Sequence, residues 1–138
     1  MIAVDSSVVV AAFAAWHEGH PAAMGLLESE SSVALPAHAA LESYSVLTRL
    51  PAPYRVSPES VGRFLGAWFG ERLTQLSQAA HADFRTQLVE LGISGGAVYD
   101  ALIAATARQI GATLATFDAR AQRTYGLIGV EVLSLSVE

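Results

Sequence analysis

The order of apolar segments predicts an α/β fold, a mainly parallel five-stranded sheet flanked by helices in a three-layer sandwich. Three observations carry this reading. Short β-rich runs recur along the chain, and stretches of helical periodicity separate them. Several helical stretches begin or end on cap residues that suit those positions. No linker, repeat or low-complexity tract interrupts the pattern, so residues 1–138 read as one domain.

The run Met1-Ile2-Ala3-Val4 predicts the first strand over Ile2–Val4. An uncharged stretch follows and predicts a helix over Ser7–Trp16. Pro21 opens a second helix reaching about Glu28, since proline suits the first helical turn. Val33–Leu35 is the second strand, and the helix after it spans Pro36 to Leu50. Pro51-Ala52-Pro53 forms a rigid break. Ser57 then caps a helix with Pro58 at its first position, and Val61, Phe64, Leu65 and Trp68 form its apolar stripe. Leu73–Leu76 is the third strand. Phe84, Leu88 and Leu91 repeat the helical spacing, with Gly92 as the closing cap. Ser94-Gly95-Gly96 marks the start of another helix, Thr113–Thr116 the fourth strand, and Val130–Leu135 the fifth. A last helix is expected from near Asp118 to Gly126, for about seven in all.

Composition excludes several classes. Apolar residues make up 52% and charged residues 15%, which suits a packed core and argues against disorder. The longest uncharged stretch, Ser6 to Trp16, is short of the ~20 residues a membrane helix needs. No basic segment precedes an apolar one at the start, so no signal peptide is expected and the cytoplasm is the expected location. The chain has no cysteine, hence no disulfide framework and no thiolate metal site. All eight basic residues are Arg, and the net charge is −5, so any pull on nucleic acid must be local.

Four acids interrupt this apolar frame. Asp5 and Asp118 stand just past strands, Asp100 lies within Val98-Tyr99-Asp100-Ala101-Leu102-Ile103, and Glu42 within Ala39-Ala40-Leu41-Glu42-Ser43. Alone, Asp5 and Asp118 read as helix caps or turn formers, and Glu42 as part of a solvated face. Asp100 is harder to place, because a carboxylate amid Val, Leu and Ile is costly to bury. With strands one and four adjacent, all four converge at the carboxyl ends of a parallel sheet, where ligands bind. Carboxylate oxygens and no Lys suit a hard cation such as Mg²⁺ or Mn²⁺.

Four segments together resemble a PIN domain, and within that family the VapC toxins of bacterial toxin–antitoxin pairs. They are Ile2-Ala3-Val4-Asp5-Ser6-Ser7, Glu42 on its helix, Tyr99-Asp100-Ala101-Leu102-Ile103-Ala104-Ala105-Thr106-Ala107, and Leu114-Ala115-Thr116-Phe117-Asp118. The resemblance spans nearly the whole chain in order. It implies a metal-dependent endoribonuclease in which Asp5, Asp100 and Asp118 hold Mg²⁺, with Mn²⁺ able to substitute. Glu42 binds the ion or orients the attacking water. Ser6 matches the small hydroxyl residue after the first acid, and Thr116 the hydroxyl residue ahead of the last. The resemblance also implies an RNA substrate, a 5′-phosphate product, a homodimer and a small cognate antitoxin covering the site. One departure is that Ala119 and Arg120 occupy the stretch where relatives often carry a further acid.

Arg49, Arg120 and Arg123 lie closest in sequence to the acids and are candidates for RNA phosphate contacts or a solvated surface. His17, His20, His38 and His81 show no metal-ligand spacing, and His17 and His20 read as loop or cap residues. Trp68 and Phe69 read as core or dimer contacts. Two other readings stand beside the nuclease. In a phosphatase-like hydrolase Asp5 would be the nucleophile, but Ser7 breaks the usual Asp-x-Asp and no Lys is available. A catalytically silent PIN-like module would bind RNA or protein without cutting.

Overall fold

A computed structural model describes residues 1–70 and 72–137. In chain order the elements are β1 (Ile2–Val4), α1 (Ser6–Phe13), α2 (His20–Ser29), β2 (Val33–Pro36), α3 (Ala37–Thr48) and α4 (Pro58–Trp68). Then come β3 (Leu73–Thr74), α5 (Gln78–Leu91), α6 (Ala97–Gln109), β4 (Thr113–Thr116), α7 (Ala121–Ile128) and β5 (Val132–Ser134). The strands lie in the order β3-β2-β1-β4-β5, and every pairing is parallel.

Burial explains the placement of the strands. β2 is apolar along its length and β4 sets Leu114 and Ala115 between two threonines, and both are almost wholly buried, as strands covered by helices on both faces must be. β3 and β5, at the edges, are more exposed. Val4, Val8, Val9, Leu35, Ile103 and Leu114 are completely or almost completely enclosed. On α6 the small side chains of Ala101, Ala104 and Ala107 are fully buried, so that helix can lie close to the sheet.

Several caps follow the sequence. Ser57 accepts from the Ser60 amide with Pro58 at the first helical position, and Gly92 ends α5 in the left-handed region at φ 65°. Elsewhere the boundaries move. α1 stops at Phe13 rather than Trp16, and α3 at Thr48 rather than Leu50. α7 begins at Ala121 and continues through Gly126 to a cap at Gly129, φ 91°. Its buried residues Ala121, Thr124, Tyr125 and Ile128 keep helical spacing across Gly126, and packing of that stripe outweighs the ~1 kcal/mol cost of a helical glycine.

The edge strands are shorter than expected. β5 starts at Val132 because the Val130 amide turns back to the Tyr125 carbonyl in the cap of α7. β3 ends at Thr74 because the Gln109 side chain takes over the next backbone groups. Its amide nitrogen donates to the Gln75 carbonyl at 3.1 Å, and its oxygen accepts from the Ser77 amide at 2.9 Å.

Candidate active site

Parallel topology places the acids. β1 and β4 are adjacent and in register, Ala3 beside Leu114 and Val4 beside Ala115, so the residues just beyond them leave the same edge of the sheet. Asp5 and Asp118 are at that edge. A helix following a parallel strand starts at the strand's carboxyl end, which puts the early part of α3, with Glu42, on the same side. α6 runs back toward the start of β4, so its first turn, with Asp100, also begins there.

Asp5 is the most enclosed of the four, at 2% exposed. Its Oδ1 caps α1, accepting from the Ser7 amide at 3.0 Å and the Val8 amide at 3.3 Å. The Ser7 hydroxyl donates to the same oxygen at 2.5 Å. Oδ2 accepts a 2.7 Å bond from the hydroxyl of Tyr125, which α7 brings from 120 residues away. Burial, and then the Asp5 charge, push the Tyr125 hydroxyl pKa well above its ordinary value, so it remains a donor. This arrangement makes Asp5 both a helix cap and a fixed carboxylate.

A pair of hydroxyls joins the two strand ends. The Ser7 Oγ accepts from the Phe117 amide at 2.9 Å and lies 3.4 Å from the Thr116 Oγ1. Thr116 in turn accepts from the Asp118 amide at 2.9 Å. Asp118 Oδ1 accepts from the amides of Arg120 and Ala121, which orients its carboxylate at the start of α7. Among the described residues the serine bonded to Asp5 is thus Ser7. Ser6 instead lines a cavity with Glu42, Ser45, Val46 and Arg49.

Asp100 reports on the convergence. Its pKa is pushed up to about 6, first by desolvation and then by the negative charges of Glu42, Asp118 and Asp5, with His38 opposing. Mutual repulsion of this kind requires the four carboxylates to share one region. Glu42 Oε2 lies 3.8 Å from His38 Nε2, one helical turn away. The ring of His38 also stacks on Tyr99.

The donor chemistry suits a hard divalent cation: four carboxylates and two hydroxyls, all oxygen. Among the described residues, no three Asp, Glu or His side chains form a ready-made ligand cluster.

Arg120 lines a cavity of about 490 Å³ together with Asp100, Asp118, Gly96, Ala97 and Thr124. A guanidinium therefore stands beside the carboxylates of Asp100 and Asp118. Arg49 lines the cavity holding Glu42, with its side chain on the Ser45 hydroxyl at 2.8 Å. Arg123 is exposed on α7. His17 and His20 have the loop and cap roles expected: His17 Nδ1 accepts from the Gly19 amide, and His20 Nδ1 bonds the Ala11 carbonyl. Phe69 is buried in the core, and Trp68 packs against it.

The sequence comparison decides the family. A model of the PIN domain matches residues 2–127. The chain belongs to the PIN-domain family. Ribonuclease VapC40 of Mycobacterium tuberculosis is 47% identical over 132 residues, covering 96% of this PIN domain and 97% of the relative. FitAcB from Neisseria gonorrhoeae superposes with a TM-score of 0.71 at 22% identity, covering 97% of both chains. VapC20 of Mycobacterium tuberculosis, described as a sarcin–ricin loop cleaving toxin, gives 0.69 at 20% identity, covering 89% of this chain and 94% of that one. These solved structures agree with the α/β fold derived above.

Sequence reasoning missed three residues of this PIN domain's site. Ser7 had a local signal, since an acid capping a helix is often bridged by a hydroxyl two residues on. Tyr125 carried a usable signal, a phenol on the apolar stripe of a helix, since a buried tyrosine hydroxyl needs a partner. His38, four residues before Glu42 on one helix face, carried another.

Proposed function

We propose that this chain is an endoribonuclease that hydrolyses RNA phosphodiester bonds and acts as the toxin of a VapBC-type toxin–antitoxin pair. The observation that carries the reading is the placement of Asp5 and Asp118 just past the neighbouring parallel strands β1 and β4, with Asp100 in the first turn of α6 lining one cavity with Asp118. The identity to a VapC ribonuclease over nearly the full length supports it.

PIN-domain ribonucleases are generally metal-dependent. In this chain Asp5, Asp100 and Asp118 would hold the ion, Mg²⁺ with Mn²⁺ as substitute, and Glu42 would orient the attacking water. When bound, such an ion supplies an acidified water and positive charge for the leaving oxygen. The protein's own groups do the rest. Tyr125 and the first turn of α1 fix the Asp5 carboxylate, and the Ser7–Thr116 hydroxyls hold the ends of β1 and β4 at constant separation. Arg49 and Arg120, in cavities beside Glu42 and beside Asp100 with Asp118, would hold phosphates flanking the cut. A phosphatase with Asp5 as nucleophile lacks its usual partners, because Ser7 stands where the second Asp would be and the chain has no Lys.

The partner in this reading is a small antitoxin, and the assembly a homodimer. An antitoxin Arg or Lys would neutralise the carboxylates, and Asp100, half-buried, is more accessible to it than Asp5. The test is cleavage of single-stranded RNA with Mg²⁺ or Mn²⁺, beside hydrolysis of p-nitrophenyl phosphate. Metal-dependent RNA cleavage lost in Asp100→Asn is the expected result. Turnover of the small ester alone would replace the reading by the phosphatase, and no turnover of either by the silent module.

A further inference from the structure

Two side-chain rings lie face to face beside the acids. Tyr99 and His38 have centroids 5.0 Å apart and planes 9° from parallel. The other aromatic contacts among the described residues are tilted or edge-on. The stack is also open to solvent: Tyr99 is 52% exposed. It bridges two elements of the site. Tyr99 immediately precedes Asp100 on α6, and His38 on α3 reaches Glu42. Leading away from it is a groove of about 260 Å³ lined by His38, Leu41, Leu76, His81, Leu102 and Thr106.

We propose that the Tyr99–His38 stack is a platform for a base of single-stranded RNA, next to the phosphate held at the acids. The inference rests on the ribonuclease reading above. Arg49 and Arg120 are the cations lining the cavities beside the acids, in a chain of net charge −5, so phosphate contacts are few and an uncharged contact adds to affinity. Stacking on an aromatic ring is such a contact, and it tolerates any base. It also demands a base free of its own duplex, which selects loops and single strands over helical RNA. A guanidinium from a protein could stack on Tyr99 too. The position favours a base, because a nucleotide's base lies one sugar from the phosphate that the acids must engage. Coupling of His38 to Glu42 then ties the base's seat to the reacting centre.

The experiment uses Asp5→Asn protein, so that binding is read without cleavage. Two probes carry equal charge: a mixed-sequence 12-nucleotide single-stranded RNA, and an abasic ribose-phosphate 12-mer. Preference for the RNA with bases is expected to be about tenfold. It should vanish when Tyr99→Leu is added, persist with Tyr99→Phe, and persist with Trp16→Leu, which removes the other exposed aromatic pair. Melting curves of each variant show whether the fold is retained. In the otherwise unaltered chain Tyr99→Leu should raise KM about tenfold with kcat changed far less. A base preference that survives Tyr99→Leu, or is lost equally in Tyr99→Phe, overturns the proposal. So does an unchanged RNA preference accompanied by weaker retention of an Arg-rich nonapeptide, which would assign the platform to a protein cation. Base-dependent binding lost in Tyr99→Leu, in a protein that cleaves no RNA, would leave the platform standing and remove only the nuclease reading.

Discussion

Replacing Tyr125 by Phe isolates one contact of the site. Its ring is 1% exposed and fills the core beside α7, so the substitution keeps the volume and opens no cavity. What disappears is a 2.7 Å hydrogen bond to Asp5 Oδ2, inside a region where Asp5 itself is 2% exposed. A hydrogen bond to a charged group contributes ~1.5–3 kcal/mol, and its loss leaves a buried carboxylate oxygen unpaired. For a chain of this length that corresponds to a fall in Tm of roughly 5–10 °C. Thermal unfolding followed by circular dichroism in EDTA reads this directly. Cleavage of RNA should fall about 10–100-fold, as for other groups that orient a ligating side chain. A Tyr125→Phe protein with parental Tm and parental cleavage would refute the reasoning, and Tyr125 would be a core residue only.

Further outcomes follow from the same geometry. Asp5→Asn should abolish cleavage and melt in EDTA close to the parent, because the Asn oxygen still caps α1 and the loss of one clustered charge offsets the weaker contact with Tyr125; a mutant several degrees less stable would make Asp5 chiefly structural. Asp100, with its pKa pushed up to about 6, binds more proton in the folded than in the unfolded state between about pH 4 and 6, so stability falls as pH rises through that window. Asp100→Asn should flatten that slope in EDTA melts, and an unchanged slope would remove Asp100 from the cluster. Millimolar Mn²⁺ should raise the parent's Tm more than Na⁺ at matched ionic strength, with a smaller rise in Asp100→Asn; equal rises would argue that Asp100 is no ligand. Arg49→Ala and Arg120→Ala should weaken RNA binding and lower its salt dependence more than Arg63→Ala on α4, as checked by titration at several salt concentrations.

What the sequence determined by itself is local in origin. β1 and β4 agree with the apolar runs residue for residue, since a strand buried on both faces has few alternatives once its ends meet polar or turn-forming residues. Ser57-Pro58 and Gly92 cap as expected because capping depends on the few residues around a helix end. The four acids were legible as well, being charges in apolar surroundings that need a purpose. Tertiary structure decided everything that depends on distant partners. Tyr125 reaches Asp5 across 120 residues, and Gln109 shortens β3 from 34 residues away. The serine bonded to Asp5 is Ser7 because capping of α1 and the neighbouring end of β4 together choose which serine turns inward. His38 and Tyr99 meet only because α3 and α6 pack side by side at one edge of the sheet. Local propensity can say which residues need a partner, but the partner itself is set by packing that brings remote segments into contact.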